Sequence, residues 1–299
     1  MYFKDNLIGP WFLVEKRKEL CYYSIALAKK SKEEKRMKKI ISFLLIAVMA
    51  ISVLAGCGGE KTDWAYIEDK GTLVMGITLY EPMNYYDENG ELTGFDTEFA
   101  QAVCDILGVE AKFQEIEWDQ KHTELKGKSI DCIWNGMTIS DDLAEHMAFS
   151  TPYVKNKQVI IVKKENLDKY PDLASIKNVK IAAESGSAGE KAVQGEGELK
   201  DNELISVSAQ KDALLEVKSG AVDMAVLDYV LAKAVLTDDS DYSDMAMIES
   251  IELGVEEYGI GIRKEDTELL KKINAAIDEL KENGKLDELA EKYEVNLAW

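Results

Sequence analysis

IDCIWNGMTISDDLAEHMAFSTPY, residues 130–153, is the stretch on which the reading of the fold turns. Ile130, Cys132, Ile133 and Trp134 read as a short apolar strand. Gly136 breaks it, and a glycine there lets backbone come close to a ligand. Thr138 then offers a hydroxyl and a backbone N–H just past the strand end, where ligands collect in open α/β sheets. Residues 149–153 close the stretch before a further strand at 158–162. Alone, these residues fit an ordinary strand, loop and helix as well as a binding loop, so their surroundings decide.

Upstream, residues 73–78 read as a strand ended by Tyr80-Glu81-Pro82, and 87–93 as a turn around Gly90. Gly94-Phe95-Asp96 starts a helix that Asp96 is placed to cap, with Phe99, Ala102, Val103, Ile106 and Leu107 on one face and Gly108 as the stop. A strand at 111–116, Trp118 just beyond it, and a short helix at 122–126 lead into the opening stretch. Downstream the alternation repeats. Strands are expected at 159–162, 179–183, 204–207 and 221–227, the last ending on Asp228, and helices begin near Ser187, Ala213 and Tyr229. Strands at 245–251 and 258–262 precede two terminal helices, whose apolar stripes run through Leu269, Ile273, Ile277 and Leu280, then Leu286, Leu289 and Tyr293. Strand–helix alternation of this kind argues an α/β protein with mostly parallel sheets.

The 299 residues suffice for one large or two medium domains. Net charge is −20, and because residues 1–56 are basic the remainder is more acidic still. Such a body will not wrap nucleic acid, whose phosphates demand Lys and Arg. Lys35, Arg36, Lys38 and Lys39 precede an apolar run of 15 residues, 40–54, too short for a comfortable membrane span and suited to a signal peptide. Leu54-Ala55-Gly56-Cys57 follows at once and matches a lipobox, with Cys57 as the lipid attachment site. Residues 1–36 are expected to be an upstream extension, 37–56 the lipoprotein signal peptide and 57–64 a tether. Cys104 and Cys132 fall in apolar patterns and read as buried free thiols. The acidic loop 238–244 lacks the glycine and terminal glutamate of a calcium loop, so no metal site and no cofactor is expected.

Taken together the motifs resemble the extracellular solute-binding proteins of ABC importers, polar amino-acid group. They are Gly71-Thr72-Leu73-Val74 into Tyr80-Glu81-Pro82, Gly94-Phe95-Asp96, Trp118, Gly136-Met137-Thr138-Ile139, Phe149-Ser150-Thr151-Pro152-Tyr153, Ser185-Gly186-Ser187, Gly220-Ala221-Val222-Asp223 into Asp228, Tyr258-Gly259-Ile260 and Lys292-Tyr293. The resemblance covers about residues 65–295. It implies a periplasmic-binding-protein-like fold of type II: two α/β lobes with a ligand cleft between them, the second lobe inserted in the first. The crossings would lie near 155–157 and 250–254, giving lobe 1 as 65–155 with 253–299 and lobe 2 as 156–252. It further implies a monomeric, lipid-anchored, extracytoplasmic protein that hands an amino acid to permease subunits in the membrane.

Carried over residue by residue, Asp228 resembles the carboxylate that holds the ligand ammonium, helped by the Gly136 carbonyl and Thr138 hydroxyl. The alternative for Asp228 is a helix cap for the segment from Tyr229. The N–H groups of Thr138 and Ser187 resemble donors to the ligand carboxylate, Ser187 being otherwise a plain cap. Tyr80 and Trp118 match positions that sandwich the ligand side chain, the alternative for either being a core aromatic, and Asn135 is placed to face the cleft. One departure stands out. Where the family pattern reaches an Arg for the ligand carboxylate, this chain has Leu143; either another donor such as Asn135, Lys121 or Gln158 replaces it, which is the expectation here, or the ligand presents its carboxylate differently or has none. A dehydratase-like enzyme on the same fold and a ligand sensor are the rival readings. The two histidines, His122 and His146, come with no nucleophile motif.

Overall fold

The computed structural model describes residues 62–195 and 197–299. In chain order the strands are β1 (Thr72–Ile77), β2 (Tyr85–Tyr86), β3 (Leu92–Thr93), β4 (Glu110–Glu115), β5 (Cys132–Ile133), β6 (Ala148–Phe149), β7 (Val154–Lys163), β8 (Lys180–Glu184), β9 (Glu203–Val207), β10 (Met224–Asp228), β11 (Met245–Met247), β12 (Val255–Tyr258) and β13 (Gly261–Ile262). The α-helices are α1 (Asp63–Lys70), α2 (Phe95–Leu107), α3 (Lys121–Lys126), α4 (Asp141–Ala144), α5 (Ala188–Gln194), α6 (Gln210–Ser219), α7 (Tyr229–Val235), α8 (Thr267–Glu282) and α9 (Lys285–Tyr293).

The strands form two main sheets and the β2–β3 hairpin. One sheet has the order β4-β1-β5-β13-β6, the other β11-β7-β10-β8-β9 with β12 paired to β7. β1 runs parallel to β4 and β5, and β8 parallel to β9 and β10. The expectation of mostly parallel sheets fails at one strand in each: β13 is antiparallel to β5 and β6, and β7 to β10 and β11. The reason is connectivity. β7 and β12 carry the chain from one sheet to the other and back, pairing with each other through Val154–Tyr258 to Lys157–Val255. A strand arriving from the opposite sheet adds without a crossover helix and enters antiparallel.

The core of the first sheet is aromatic. Phe99 meets Trp134 edge-on with centroids 5.0 Å apart, and Phe95 stacks on Tyr153 at 6.2 Å. Such pairs contribute about 0.5–1.5 kcal/mol each beyond their area. The terminal helices bury the face read from their periodicity: Leu269, Ile273, Ile277, Leu280, Leu286 and Leu289 are all buried. Cys104 and Cys132 are free and buried.

Several local readings shift. Gly94, not Asp96, occupies the N-cap of α2. Asp96 is fully buried and accepts hydrogen bonds from the Gly136 N–H (2.6 Å) and the Tyr153 hydroxyl (2.9 Å). Burial pushes its carboxyl up to about 7, against those two donors. The strand expected from Ile130 is reduced to Cys132–Ile133, with single bonds Asp131 N–Val74 O (2.7 Å) and Trp134 N–Gly76 O (3.2 Å) beyond its ends. α1 begins at Asp63, two residues inside the expected tether, because Trp64 and Ile67 bury on the core. The signal-peptide and Cys57 readings, like the proposed upstream extension, lie outside the described residues.

Candidate functional site

Carboxyl ends of strands from both sheets face one cavity of about 190 Å³. All eight expected site residues line it: Tyr80, Trp118, Asn135, Gly136, Thr138, Leu143, Ser187 and Asp228. They do not line it in the same way.

Asn135 ties two strand ends together. Its Oδ1 accepts from the Thr78 N–H (3.0 Å) and hydroxyl (2.7 Å), and its Nδ2 donates to the Thr78 carbonyl (2.9 Å) and Asn84 Oδ1 (2.7 Å). Two acceptor sites and two donor hydrogens are all a carboxamide has. The Asn135 side chain therefore positions the loop and has nothing left for a ligand. Gly136 follows at φ +53°, where a Cβ would stand 2.5 Å from the Tyr80 ring, so glycine is required. Its N–H is committed to Asp96. The Gly136 carbonyl and the Thr138 N–H and hydroxyl carry no hydrogen bond among the described residues, and they remain open to an occupant.

Tyr80 donates to or accepts from the Tyr258 hydroxyl (2.5 Å), and the two rings meet edge-on with centroids 6.5 Å apart. Trp118 opens a 3₁₀ turn and packs on Leu125, Ile130 and Met137. Both aromatic residues are thus core and cavity wall at once, 3% and 8% exposed. Leu143, in α4, packs against the same cluster as Trp118.

Ser187 reads as the plain cap. Its Oγ accepts from the Glu190 N–H (3.0 Å), and its own N–H goes to the Glu184 carbonyl (3.1 Å), so it is not free for a carboxylate. Gly186 beside it has φ +71°, and a Cβ there would press on the Asp119 backbone at 3.1 Å.

For Asp228 the cap reading fails. The carboxylate makes no cap bond to α7; the Val230 N–H is taken instead by Asn156 Oδ1 (3.2 Å). Asp228 Oδ1 accepts from Asn156 Nδ2 and Gln158 Nε2, both at 2.5 Å, and Oδ2 accepts from Gln210 Nε2. Glu256 Oε1 shares the same Asn156 and Gln158 amides. Burial raises the Asp228 carboxyl above the ordinary range, while the three carboxamides pull it down. Burial and the neighbouring Asp228 charge push Glu256 up to about 8. Glu184, at the end of β8, is pushed to about 8 by burial and then by Asp228, with Lys121 opposing.

Of the donors considered for the place of the missing Arg, Asn135 is saturated. Gln158 gives its amide to Asp228 and Glu256 and is not a lining residue. Lys121 lines the cavity, 3% exposed; its Nζ donates to the Trp118 (3.0 Å) and Gly186 (2.9 Å) carbonyls, bridging the two sides, and lies 4.7 Å from the Trp118 ring centroid. Burial lowers its ammonium to about 8. Two further lysines make ion pairs with residues before β6: Lys191 to Asp142 (3.1 Å) and Lys211 to Glu81 (3.0 Å).

Sequence reasoning missed Glu184, Lys191, Gln210 and Glu256, all lining residues. Glu184 stands at a strand's carboxyl end and was discoverable by the rule used for Asp228. Glu256 sits in the run Glu256-Glu257, where nothing local singles out one glutamate, and Gln210 carries no signal at all.

Two α/β sheets joined by exchanged strands, with a cavity at their strand ends, define a periplasmic-binding-protein fold of type II. The chain belongs to the bacterial extracellular solute-binding proteins, family 3, whose pattern matches residues 73–296. It is 30% identical over 254 residues to the L-cystine-binding protein TcyJ of Escherichia coli K12, covering 83% of this chain and 94% of that one. Among solved structures, a Streptococcus pneumoniae ABC uptake transporter substrate-binding protein with bound histidine superposes with TM-score 0.71 at 29% identity, over 77% of this chain and 95% of that one. An ancestral amino-acid-binding protein described as a precursor of cyclohexadienyl dehydratase gives TM-score 0.69 at 32% identity, over 76% and 97%.

Proposed function

We propose that the protein captures a free amino acid in this cavity for uptake by an ABC transporter, acting as its substrate-binding subunit and not as an enzyme. The observation that carries the reading is Asp228. It is a buried carboxylate held by three carboxamides and not bonded to the helix it precedes, and it lines the same cavity as the Gly136 carbonyl and Thr138 hydroxyl, which have no partner among the described residues. An α-ammonium with three hydrogens finds three acceptors there. Lys121 takes the role of the Arg that Leu143 replaces and holds the α-carboxylate, with the Thr138 N–H. Tyr80 and Trp118 enclose the side chain.

Lobe 1 comprises residues 65–155 and 253–299 and lobe 2 residues 156–252, the strands β7 and β12 serving as the hinge. The pairing of β7 with β12 at one end and with β10 further along supports these boundaries. Cys57 carries a lipid that anchors the protein outside the cytoplasm; among the described residues no helix is long and apolar enough to cross a membrane. Cell fractionation of Cys57→Ala tests this, the expected result being release into the soluble fraction and retention the contrary one.

A thermal-shift screen of free amino acids identifies the ligand. Calorimetry with that ligand, its decarboxylated amine and its amide then tests the anchor. Both analogues are expected to bind at least about tenfold more weakly, a difference of about 1.4 kcal/mol. Equal binding by the amine rejects the carboxylate site. The rival enzyme reading draws on Glu184 and Glu256, whose elevated carboxyls suit acid–base work. Product formation from the identified ligand would favour it; a stable one-to-one complex favours capture.

A further inference from the structure

The cavity holds more negative charge than an amino acid's single ammonium needs. Asp228 meets that need. Glu184 and Glu256 are two further carboxyls on the same walls, against the ammonium groups of Lys121 and Lys191. Lys191 is half exposed and already paired with Asp142, so the inner part of the cavity is more anionic still.

Glu184 is the telling residue. Its side chain is 3% exposed and lines the cavity. Among the described residues its carboxyl makes no hydrogen bond, and no cation lies within 4 Å of it, Lys121 having committed its Nζ to two carbonyls. A buried carboxyl without a partner is strongly disfavoured when ionised, and among the described residues no donor offsets that. Glu256 is better supported but shares its two carboxamides with Asp228, so two acids compete for one set of donors. No group of three or more acidic, His or Cys side chains among the described residues is arranged to hold a metal ion. The cation that answers these carboxyls is therefore sought in an organic ligand.

We propose that Glu184, with Glu256, forms a subsite for a second cationic group on the ligand, so that the cavity selects amino acids with a basic side chain and releases a proton from the carboxyl cluster when they bind. The inference rests on the reading of the cavity as an amino-acid site with Asp228 on the α-ammonium. Charge balance supports it. A zwitterion of net charge zero leaves the excess of carboxyls in place, whereas a ligand of net charge +1 reduces it. In the empty cavity the excess is relieved by protonation: Glu184 and Glu256 each titrate near 8, raised by burial and by Asp228. The charged groups facing Glu184 are Asp228, Lys121 and Asp212; Asp228 faces Glu256. Of these, Lys121 alone favours the ionised form. An arriving ammonium or guanidinium adds a second such charge and lowers the carboxyl's affinity for its proton, which leaves to solvent. The aromatic faces of Tyr80 and Trp118 attract the same cation.

The test uses two matched pairs, L-arginine with L-citrulline and L-lysine with L-norleucine, which differ within each pair in the charge of the side chain. Calorimetry at pH 7 in Tris and in phosphate, whose ionisation enthalpies differ, reads affinity and proton release together. In at least one pair the cationic member is expected to bind a hundredfold or more tighter, with a heat that differs between the buffers in the sense of proton release. Glu184→Gln keeps the shape and removes the charge. It is expected to cut the cationic-to-neutral affinity ratio at least tenfold and to diminish the proton release. Neutral members binding as tightly as their cationic partners, or a ratio untouched in a folded Glu184→Gln variant, overturns the subsite while leaving the amino-acid site standing. Failure of every free amino acid to bind overturns both.

Discussion

The two walls of the cavity are built on opposite terms. On the side of the first sheet, Asn135, Gly136, Tyr80 and Trp118 are neutral, and their polar atoms are largely spent inside the protein, on Thr78, Asn84, Asp96 and Tyr258. On the other side, Asp228, Glu256 and Glu184 are acids crowded together with their charges imperfectly answered. A saturated wall is scaffold: its bonds hold whether or not a ligand is present. An unsaturated wall is where a ligand's charge has most to offset, because a buried charge without a partner is the costlier defect. The residues that look most polar in sequence, such as Asn135, are thus not the ones best placed to bind.

The sharpest way to break this contrast is Asp228→Ala. Removing one partner of a buried, hydrogen-bonded charge pair costs about 2–5 kcal/mol of binding, roughly 30-fold to several-thousand-fold in affinity. In the unliganded protein, relief of a carboxylate disfavoured by burial opposes the stranding of the Asn156, Gln158 and Gln210 amides, so the binding loss is the quantity to read. A folded variant titrating like wild type would return Asp228 to a structural role.

Asn135→Ala should do the reverse. It strands the Thr78 N–H, hydroxyl and carbonyl and Asn84 Oδ1 beside the cavity, so unfolding experiments should show a loss of about 1–3 kcal/mol in stability. Affinity, referred to the folded fraction, should fall less than in Asp228→Ala. A stable Asn135→Ala protein with abolished binding would invert the assignment of the two walls.

pH separates the walls a third way. Glu184 and Glu256 titrate near 8 in the folded protein and near 4.5 as free side chains. Between those values the folded state holds more protons than the unfolded one, so its stability falls as pH rises from about 4.5 to about 8. Lys121, lowered from 10.5 to about 8, works oppositely: from about 8 to 10.5 the unfolded state holds the extra proton and stability recovers. Melting temperatures of the unliganded protein should follow this course, and Glu184→Gln should flatten the descending part. A slope unchanged in that variant would show that Glu184 ionises freely.

The smallest effect is expected from Lys211→Ala, which removes a half-exposed ion pair with Glu81. Exposed pairs contribute about 0–1 kcal/mol, so affinity should change by less than about fivefold. A larger loss would mean that this bridge governs closure.

Periodicity and punctuation in the sequence determined the alternation of strands and helices, the buried faces of α8 and α9, and the strand-end placement of Gly136, Thr138 and Asp228. These follow from local physics: a period of 3.6 or 2, a glycine where φ is positive, a strand that must end. Tertiary structure alone decided what each polar group does. Asp96 looked like a cap and became the buried partner of the Gly136 N–H; Asp228 could have been a cap and is not; Ser187 is one. Glu256, unremarked in the sequence, lines the cavity because β12 returns along β7 and turns it inward. The Gly136 N–H that reaches Asp96 lies 40 residues away and the Asn156 amide that reaches Glu256 lies 100, and no local pattern encodes which distant donor reaches a given carboxylate first.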